Sequence, residues 1–447
     1  MFDKGFHVAY RYNPRGIPRK QNMVNIAVIG AGYVGLTTGA CLSYVGHNVT
    51  IADLNASRIA GLQKGEIPFV EPLLSEIVAD GLRSERLTFV TGAINACKDA
   101  KFHFLCLPTP PDDDGSTDLS FFQTALDEIS EALQPNSIII TKSTVPVGTA
   151  KIINEQINRR DISIVSNPEF LAEGNAVNDF LSPSRIVIGA ETREDARRVE
   201  ELYSNIDAPV LLTGWESAEL IKHTANAFLA MKLTFVNEIA TLCEKTGADI
   251  QDVAKGIGYD PRIGASYLNP GPGWGGSCFP KDSSSLVHVA RKVGFDFTLL
   301  EHAIQLNKKH VERTAGKVLK LLSKEKNSPK VAAWGLTFKA GTDDLRSSPA
   351  IEVLSHLIAE GIKICAYDPT VTGTIEQIPE VSIETDPYAS VEDADVLVVL
   401  TEWEEFNEFE MGKVANMMKS PSLVDTRNLF DREEMESVGF TYFGMGL

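Results

Sequence analysis

The sequence lacks the usual features of a metal-binding, secreted or membrane-spanning protein. Its six cysteines form no CxxC pair and no cluster with histidine at metal-ligand spacing, so we expect no metal site and a reducing compartment. No apolar run approaches the roughly 20 residues that a transmembrane helix needs. These absences predict a cytoplasmic protein that has no membrane partner.

Basic residues are also scarce. Against 60 Asp and Glu there are 42 Lys and Arg, a net charge of -18 that disfavours binding to nucleic acid and to anionic membranes. Residues 1–23 are the exception, with several Lys and Arg among Pro and Gly. They lack the apolar stretch of a secretory signal, and we predict that they form a disordered basic tail.

The length of 447 residues predicts at least two domains. An apolar run at 24–29 leads into GAGYVG at 30–35, and a helical segment and a second strand at 48–52 follow. This order indicates a βαβ unit. Short apolar runs at 101–107 and 137–141 are typical of buried parallel strands. The first half is therefore predicted to be a doubly wound α/β domain.

The second half of the sequence repeats this plan. Three of its segments each resemble a segment of the first half: 330–335 resembles 24–30, 362–369 resembles 47–53, and 393–400 resembles 99–107. Internal similarity of this kind predicts two Rossmann-like modules.

One long helical pattern lies between the two halves. Residues 216–245 contain neither Pro nor Gly, and Gly247 follows them, which indicates a continuous helix with a C-terminal stop. A helix of this length spans about 45 Å. The fold class expected is α/β, with two Rossmann-like doubly wound domains joined by a long central helix that also suits a dimer interface.

Three glycines mark a predicted dinucleotide site. Gly30, Gly32 and Gly35 lie where a strand ends and a helix begins, the context in which GxGxxG binds a pyrophosphate. Asp53 ends the second strand, where its carboxylate would accept hydrogen bonds from a ribose 2′-hydroxyl and repel a 2′-phosphate. We therefore expect NAD rather than NADP. A flavin nucleotide is the alternative, because flavoproteins use the same fingerprint.

The second module departs from this pattern. The segment after its first strand has no GxGxxG but carries two cations, Lys339 and Arg346. These cations predict binding of a different diphosphate through charge-assisted contacts. The alternative is that both belong to an ordinary surface loop.

The sequence at 271–282, GPGWGGSCFPKD, is the most informative in the chain. Its glycines allow a close approach of the backbone, and Pro280 suits the first turn of a helix. A thiol at that helix start, near Lys281, is expected to have a lowered pKa and to be reactive. We predict that Cys278 is a nucleophile and that the other five cysteines are small buried apolar residues.

A nicotinamide cofactor and a nucleophilic thiol together predict one reaction. An alcohol loses a hydride, the aldehyde forms a thiohemiacetal with the thiol, and loss of a second hydride gives a thioester that water hydrolyses. Lys222 and Asn226, four residues apart on the long helix, can stabilise charge on the substrate oxygen. Asp282 and Glu169 can act as a base or position water. A lone lysine on a helix is, however, more often a solvated charge.

At these residues the sequence closely resembles the UDP-glucose 6-dehydrogenases, within the wider UDP-glucose/GDP-mannose dehydrogenase family. The matching segments run in order along the chain from residue 24. They are GAGYVG (30–35), LPTP (107–110), STVPVGT (143–149), NPEFLAEG (167–174), LIKHTANAFLAMK (220–232), DPRIG (260–264), PGWGGSCFPKD (272–282), GLTFKAGTDDLRSS (335–348) and VDTRN (424–428).

The resemblance implies an oxidation of UDP-glucose to UDP-glucuronate that uses two NAD, in a homodimer or higher homo-oligomer. Cys278 matches the residue that forms the thioester, and Thr144 matches a partner of Glu169 in water activation. It also implies an NAD-binding domain at 24–210, a central helical dimerisation domain with the cysteine loop at 211–312, and a UDP-sugar-binding domain at 313–447.

The resemblance also implies two sets of binding residues. The cofactor would contact Gly30, Gly32, Tyr33, Val34, Gly35, Asp53, Arg58, Thr109, Thr144, Glu173, Lys281 and Arg346. The substrate would contact Glu169, Phe170, Leu171, Lys222, Asn226, Arg262, Tyr267, Gly275, Phe338, Lys339 and Arg427, with Arg262 reaching the substrate of a neighbouring subunit.

Two alternatives stay open at this point. Relatives that oxidise UDP-N-acetylmannosamine, UDP-N-acetylglucosamine or GDP-mannose share the thiol chemistry, and only a few pocket contacts separate their substrates. A non-catalytic sensor of nucleotide sugars would keep both modules but lose Cys278, Lys222 or Asp282, and all three are present.

Overall fold

A computed structural model describes residues 23–112, 114–322 and 329–447 of the chain. The predicted tail, residues 1–23, lies outside the described residues apart from Met23. The chain divides into two compact units, the first running to Lys222 and the second from His223 to the C-terminus, with residues 114–116 belonging to the second. No helix in the described ranges is both long and apolar enough to cross a membrane.

The first unit is built on a sheet of eight described strands in the order β3-β2-β1-β4-β5-β6-β7-β8. Their bounds are β1 Asn25–Ile29, β2 Asn48–Asp53, β3 Leu87–Thr91, β4 Phe102–Leu105, β5 Ile138–Thr141, β6 Ser163–Ser166, β7 Ile186–Ala190 and β8 Val210–Thr213. Neighbouring strands are parallel except for β6 and β7.

Helices connect these strands. They are α1 Tyr33–Tyr44, α2 Ala56–Leu62, α3 Leu74–Arg83, α4 Ala93–Cys97, α5 Ser120–Ile129, α6 Thr149–Ile157, α7 Ala176–Leu181 and α8 Arg193–Glu200, with a 3-10 turn at Glu201–Tyr203. The strand order reverses between β1 and β4, and ligands of doubly wound sheets bind at the carboxyl ends of the strands at such a point.

A single helix, α9, runs from Trp215 to Thr246, so the predicted long helix is present and extends one residue further at each end. Lys222 and Asn226 both lie in it. The boundary between the two compact units falls within this helix, after Lys222.

The second unit contains a smaller sheet, with six described parallel strands in the order β11-β10-β9-β12-β13-β14. Their bounds are β9 Lys330–Trp334, β10 Lys363–Tyr367, β11 Ser382–Glu384, β12 Val396–Val399, β13 Ser422–Asp425 and β14 Thr441–Gly444. The order again reverses beside the first strand, here between β9 and β12.

The remaining helices belong to the second unit. They are α10 Ile250–Gly258, α11 Phe279–Lys292, α12 Thr298–Leu321, α13 Pro349–Ala359, α14 Pro387–Val391, α15 Met411–Met417 and α16 Arg432–Ser437, with a 3-10 turn at Glu404–Glu408. The predicted fold class, two Rossmann-like sheets and a long central helix, is thereby confirmed. Several strand ends differ from the prediction by one or two residues, which is the usual scatter of such boundaries.

The central strands are buried on both faces. Every residue of β4, β5 and β12 is buried, which explains why these strands appear in the sequence as continuous apolar runs rather than alternating ones.

His103 is a polar exception inside the core of the first unit. It lies in β4 between Ala27 and Ile139 on the neighbouring strands. Its side chain is fully buried, and among the described residues neither ring nitrogen has a hydrogen-bond partner. Burial, with a smaller contribution from Lys101, lowers the pKa of His103 to about 4.

We predict that His103 weakens the fold in mild acid. Its pKa is lower in the folded state than in the unfolded chain, so at pH 5 only the unfolded chain takes up the proton. The free energy of unfolding is therefore highest above the pKa of histidine in the unfolded chain. It falls as the pH drops toward 4, by about 2 kcal/mol between pH 7 and pH 5. Denaturant unfolding of the wild type and of His103→Leu at both pH values measures this difference.

The exposed His302 supplies the control, since His302→Gln should keep the pH dependence of the wild type. If His103→Leu lost as much stability between pH 7 and pH 5 as the wild type, the proposed cause would be wrong.

Candidate active site

The loop between β1 and α1 has the geometry that a dinucleotide needs. Gly30 has a φ of +101°, and a Cβ atom on it would lie 2.3 Å from the carbonyl oxygen of Cys106. A Cβ atom on Gly35 would lie 1.9 Å from the carbonyl oxygen of Gly30. At Gly32, among the described residues, no heavy atom beyond its chain neighbours lies within 4 Å of the Cβ position. The N-terminus of α1 is therefore open to a phosphate group, and the residues present fit a dinucleotide.

Asp53 lies at the carboxyl end of β2, next to this loop. Its Oδ2 accepts hydrogen bonds from the backbone N–H of Ala31 at 2.8 Å and from Nη1 of Arg58 at 3.2 Å. The predicted ribose-binding carboxylate is thus fixed beside the glycine loop, and Arg58, also a predicted cofactor residue, is fixed beside Asp53.

The other cofactor residues predicted in the first unit lie close to the carboxyl ends of its strands or to the helices that follow. Val34 is in the first turn of α1, Thr109 follows β4, Thr144 follows β5 and Glu173 precedes α7. Thr109 and Thr144 are buried. This is the edge of a doubly wound sheet where a nucleotide is expected.

Glu71 is a residue that the sequence analysis missed. Its carboxylate accepts hydrogen bonds from the backbone N–H groups of Gly174 at 2.7 Å and Ala176 at 2.8 Å, and from the hydroxyl of Tyr33. Burial and, next, Glu71 raise the pKa of Tyr33, so the phenol keeps its proton and donates it. Glu71 thereby ties the glycine-loop residue Tyr33 to the end of the segment at 167–174.

Glu169 and Lys222 form a buried ion pair. Lys222 Nζ lies 2.8 Å from Glu169 Oε1, and their side chains are 3% and 5% exposed. The second carboxylate oxygen of Glu169 accepts the backbone N–H of Leu171 at 2.5 Å. The guanidinium of Arg185 lies 3.5 Å from the ring centroid of Phe170. The predicted catalytic residues Glu169 and Lys222 are therefore in direct contact.

Cys278 is the N-cap residue of α11, and Pro280 lies in its first turn, as predicted. All six cysteines fall within the described ranges; five are buried and Cys278 alone is partly exposed. The Ser277 hydroxyl lies 3.5 Å from the sulfur. A thiol at the positive end of a helix dipole is well placed to act as a thiolate, and the lowered thiol pKa stays a prediction.

Asp282, one turn into α11, is fully buried. Its carboxylate accepts a hydrogen bond from Asn226 Nδ2 at 2.6 Å and pairs with Lys281 Nζ at 2.6 Å. The ammonium of Lys281, expected beside the thiol, is thus engaged by Asp282. Three of the predicted site residues lie together here.

The glycines before Cys278 serve a close backbone contact. A Cβ atom on Gly275 would lie 1.8 Å from the carbonyl oxygen of Ser347, and one on Gly276 would lie 2.8 Å from the ring of Phe338. The cysteine loop therefore packs directly against the segment at 335–348. This contact brings Gly275 and Phe338, both predicted to bind substrate, into one region.

The cations predicted for the second module differ in their surroundings. Arg427 is held by the carbonyl oxygens of Leu400 at 2.9 Å and Phe338 at 3.2 Å. The side chain of Arg346 is 66% exposed and paired with Asp344 in its own loop.

Three further predicted residues can be placed in the second unit. Lys339 Nζ lies 5.7 Å from the ring centroid of Phe338. Arg262 is 87% exposed and paired with Asp260, and the ring of Tyr267 lies 6.2 Å from that of Phe279. Arg262 is thus available to another molecule rather than turned into its own unit.

Comparison with known proteins gives one family along the chain. Sequence models of the UDP-glucose/GDP-mannose dehydrogenase family match its NAD binding domain at residues 24–207, its central domain at 216–309 and its UDP binding domain at 332–432.

Two curated relatives illustrate the sequence similarity. UDP-glucose 6-dehydrogenase TuaD of Bacillus subtilis (strain 168) is 40% identical over 431 residues, which cover 95% of this chain and 93% of the relative. UDP-glucose 6-dehydrogenase of Rhizobium meliloti (strain 1021) is 42% identical over 434 residues, covering 95% and 99%.

Solved structures share the fold over nearly the whole chain. A UDP-glucose dehydrogenase from Pyrobaculum islandicum matches with a TM-score of 0.86 and 31% identity, covering 96% of this chain and 99% of that one. A UDP-D-ManNAc dehydrogenase from Pyrococcus horikoshii matches with a TM-score of 0.84 and 27% identity, covering 94% and 99%.

We predict that Glu71→Gln weakens binding of NAD. Glutamine has one acceptor oxygen where the carboxylate has two, so its NH2 group must face either Tyr33 and Gly174 or Ala176, and that donor group loses its acceptor. Loss of one charge-assisted hydrogen bond corresponds to about a tenfold rise in Kd. Titration of the protein with NAD, followed by calorimetry, measures the change.

Glu76→Gln is the control, because Glu76 lies exposed in the first turn of α3. An unchanged Kd in Glu71→Gln would mean that the Glu71 contacts do not shape the cofactor loop.

Proposed function

This chain belongs to the UDP-glucose/GDP-mannose dehydrogenase family, and we propose that it oxidises the C6 alcohol of UDP-glucose to the carboxylate of UDP-glucuronate in two NAD-dependent steps. It is an NAD-dependent oxidoreductase. The choice of UDP-glucose is supported by curated relatives of 40% and 42% identity over 95% of the chain that carry this activity in their names.

The observation that carries the proposal is the position of Cys278. Among six cysteines in the described ranges, it alone is partly exposed, at the N-cap of a helix whose next turn contains a buried Asp282. A simple alcohol dehydrogenase has no need of a helix-capping thiol. A four-electron oxidation does, because the aldehyde must be held until its second oxidation.

NAD would be held by the glycine loop, with its pyrophosphate at Gly32 and its ribose at Asp53, and it supplies the acceptor for one hydride in each oxidation. Tyr33, Val34, Arg58, Thr109 and Thr144 lie along the same strand ends. We assign Glu173, Lys281 and Arg346 to the cofactor as well, on the family pattern alone.

In the first oxidation, the hydroxyl proton must leave as the hydride leaves C6. The Lys222 ammonium can stabilise negative charge on that oxygen, and the amide of Asn226 can donate to it. Glu169, paired with Lys222, and Asp282, paired with Asn226, are the carboxylates that can accept the proton.

In the second oxidation, the chain acts through a covalent bond. The Cys278 sulfur adds to the aldehyde carbon, and the thiol proton goes to the new oxyanion to form a thiohemiacetal. Loss of a second hydride from that carbon and of the hydroxyl proton leaves a thioester. Water positioned by Glu169 and Thr144 then cleaves the carbon–sulfur bond, releasing the carboxylate and restoring the thiol.

The substrate residues are assigned on the family pattern. We propose that Lys339 and Arg427 bind the diphosphate, that Gly275 and Phe338 form part of the pocket, and that Tyr267 also lines it. Glu169, Phe170, Leu171, Lys222 and Asn226 complete the proposed set. UDP-N-acetylmannosamine, UDP-N-acetylglucosamine and GDP-mannose are the alternative substrates.

We also propose that the protein works in the cytoplasm as a homodimer or higher homo-oligomer. In the second unit, α9 carries Phe228, Phe235 and Leu242 at seven-residue spacing, with exposures of 57%, 56% and 53%. Residues at this spacing share one helix face, and exposed apolar residues in a row are typical of an interface. Free cysteines support a reducing compartment. In the dimer, Arg262 would reach the partner's substrate.

The proposed domain limits are 24–210, 211–312 and 313–447. They are supported by the family matches at 24–207, 216–309 and 332–432.

We predict two NADH formed per UDP-glucose consumed by the wild type, and no net turnover in Cys278→Ser. Serine is a far weaker nucleophile, so the aldehyde cannot be held as a thioester. NADH absorbance together with product analysis by mass spectrometry gives the ratio.

Cys365→Ser is the matched control, since Cys365 is a buried cysteine whose sulfur lies 3.7 Å from Glu384 Oε1, and it should keep the wild-type ratio. One NADH per sugar, or full turnover in Cys278→Ser, would contradict the thioester route. Activity with one of the other nucleotide sugars alone would replace the substrate and keep the route.

We predict that Phe235→Glu shifts the protein from dimer to monomer. The substitution places a charge in the middle of the apolar row on α9, where dimer formation would bury it. Light scattering after size-exclusion chromatography reports the mass. Val293→Glu makes the same type of change at a 77% exposed valine off this helix and should leave the mass unchanged; a wild type that is itself monomeric would refute the interface.

A further inference from the structure

Lys142 is a buried lysine that the proposed reaction has not yet used. It follows β5, and its side chain is buried. Its ammonium donates hydrogen bonds to Asn167 Oδ1 at 3.2 Å and to the Tyr203 hydroxyl at 3.5 Å. The rings of Phe180 and Tyr203 lie 5.9 Å and 5.7 Å from the nitrogen.

Among the described residues, this cation has no ion-pair partner. In the described ranges no carboxylate oxygen lies within 4.0 Å of its nitrogen. Both of its hydrogen bonds go to neutral groups. Burial accordingly lowers the pKa of Lys142 to about 8. A buried charge without a partner destabilises a fold, so its presence calls for a reason other than stability.

The hydrogen bonds to Asn167 and Tyr203 do not supply that reason. The Tyr203 hydroxyl already donates to Asn167 Oδ1 at 2.5 Å, and Asn167 Nδ2 donates to the carbonyl oxygen of Val187 at 2.8 Å. Without Lys142, these groups would still be satisfied.

The position of Lys142 suggests an electrostatic role. Asn167, which it contacts, is two residues from Glu169, and Lys142 and Glu169 line the same cavity of about 40 Å³. The strongest attraction on the Lys142 ammonium comes from Glu169, and Lys222 repels it. Glu169 is thus faced by a second buried cation in addition to its partner Lys222.

The remaining charged and titratable groups around Glu169 come from other elements. Arg185, beside Phe170, attracts Glu169 and Asp179, and Asp179 lines the same cavity. Besides burial, the charge of Glu169 also contributes to the raised pKa of the Cys106 thiol. Among these groups only Lys142 is a buried cation that lacks a carboxylate within ion-pair distance.

We propose that Lys142 is a positioning residue for the reaction: its buried ammonium attracts the Glu169 side chain and helps to hold it in place beside Lys222. The inference rests on the proposed function, because it gives Lys142 a role through Glu169. Burial of the Lys142 ammonium lowers the stability of the fold, but it places the positive charge where the reaction uses it.

The test separates charge from hydrogen bonding. Lys142→Met removes both, and Lys142→Gln removes the charge but keeps a donor for Asn167. We expect both variants to lose about tenfold in kcat at pH 7, because the positive charge that attracts Glu169 is gone, with KM for UDP-glucose little changed. We also expect Lys142→Met to have a Tm at least as high as that of the wild type.

The pH profile gives an independent readout. Lys142 loses its own charge as the pH rises through its pKa of about 8. Above that pH the kcat of the wild type should therefore approach the kcat of Lys142→Met. Two controls accompany the variants. Tyr203→Phe removes one hydrogen-bond partner and keeps the charge, and Lys151→Met removes an exposed lysine of α6; both should retain most of the kcat.

Each result decides the proposal. A lower Tm in both Lys142 variants would make Lys142 a structural residue, and so would a kcat restored by Lys142→Gln. An unchanged kcat in both would overturn the electrostatic role. If the wild type itself forms no NADH from UDP-glucose, the proposed function fails, whereas an active wild type with active Lys142 variants overturns this inference alone.

Discussion

The buried ion pair between Lys222 and Glu169 is the contact on which the rest of the first unit's site depends. Neither charge can be removed from water alone without a large penalty, so the segment at 167–174 and the start of α9 must be placed together. A second buried carboxylate fixes the same part of α9, since Glu219 accepts the backbone N–H groups of Gly148 at 2.6 Å and Ala150 at 2.8 Å. Residues that are far apart in the chain are therefore held together in this site because their buried charged groups need partners.

Much of the fold and part of the site could be predicted from the sequence because their causes are local. A strand, three glycines and a helix follow one another at 24–44, and the close contact of Gly35 with Gly30 lies within this segment. The cause is also local for Cys278, since a proline two residues later fixes the start of α11. Apolar runs such as β4 and β12 were recognisable because both of their faces are buried.

The rest could not be predicted because its causes are distant in the chain. Glu71 meets Gly174 across 103 residues, and nothing near Glu71 distinguishes it from an ordinary surface glutamate. Lys142 lies between the predicted strand at 137–141 and the matching segment at 143–149, and its position beside Tyr203 and Phe180 depends on residues far along the chain. The glycines before Cys278 were expected to allow another part of the chain to come close. Only the structure shows that the residues in contact with them are Ser347 and Phe338.

Burial divides the six cysteine thiols into two groups, five buried and one partly exposed. It raises the pKa of Cys97 and of Cys106 to about 12, so these thiols react slowly with alkylating agents and peroxides, whereas Cys278 is partly exposed. Among the six cysteines, oxidation of the folded molecule is then expected to begin at Cys278, the one thiol that the proposed catalysis requires. The protein would lose its activity under oxidative stress while still folded. A thiol reductant would restore the activity as long as oxidation stops at the sulfenic acid or a disulfide.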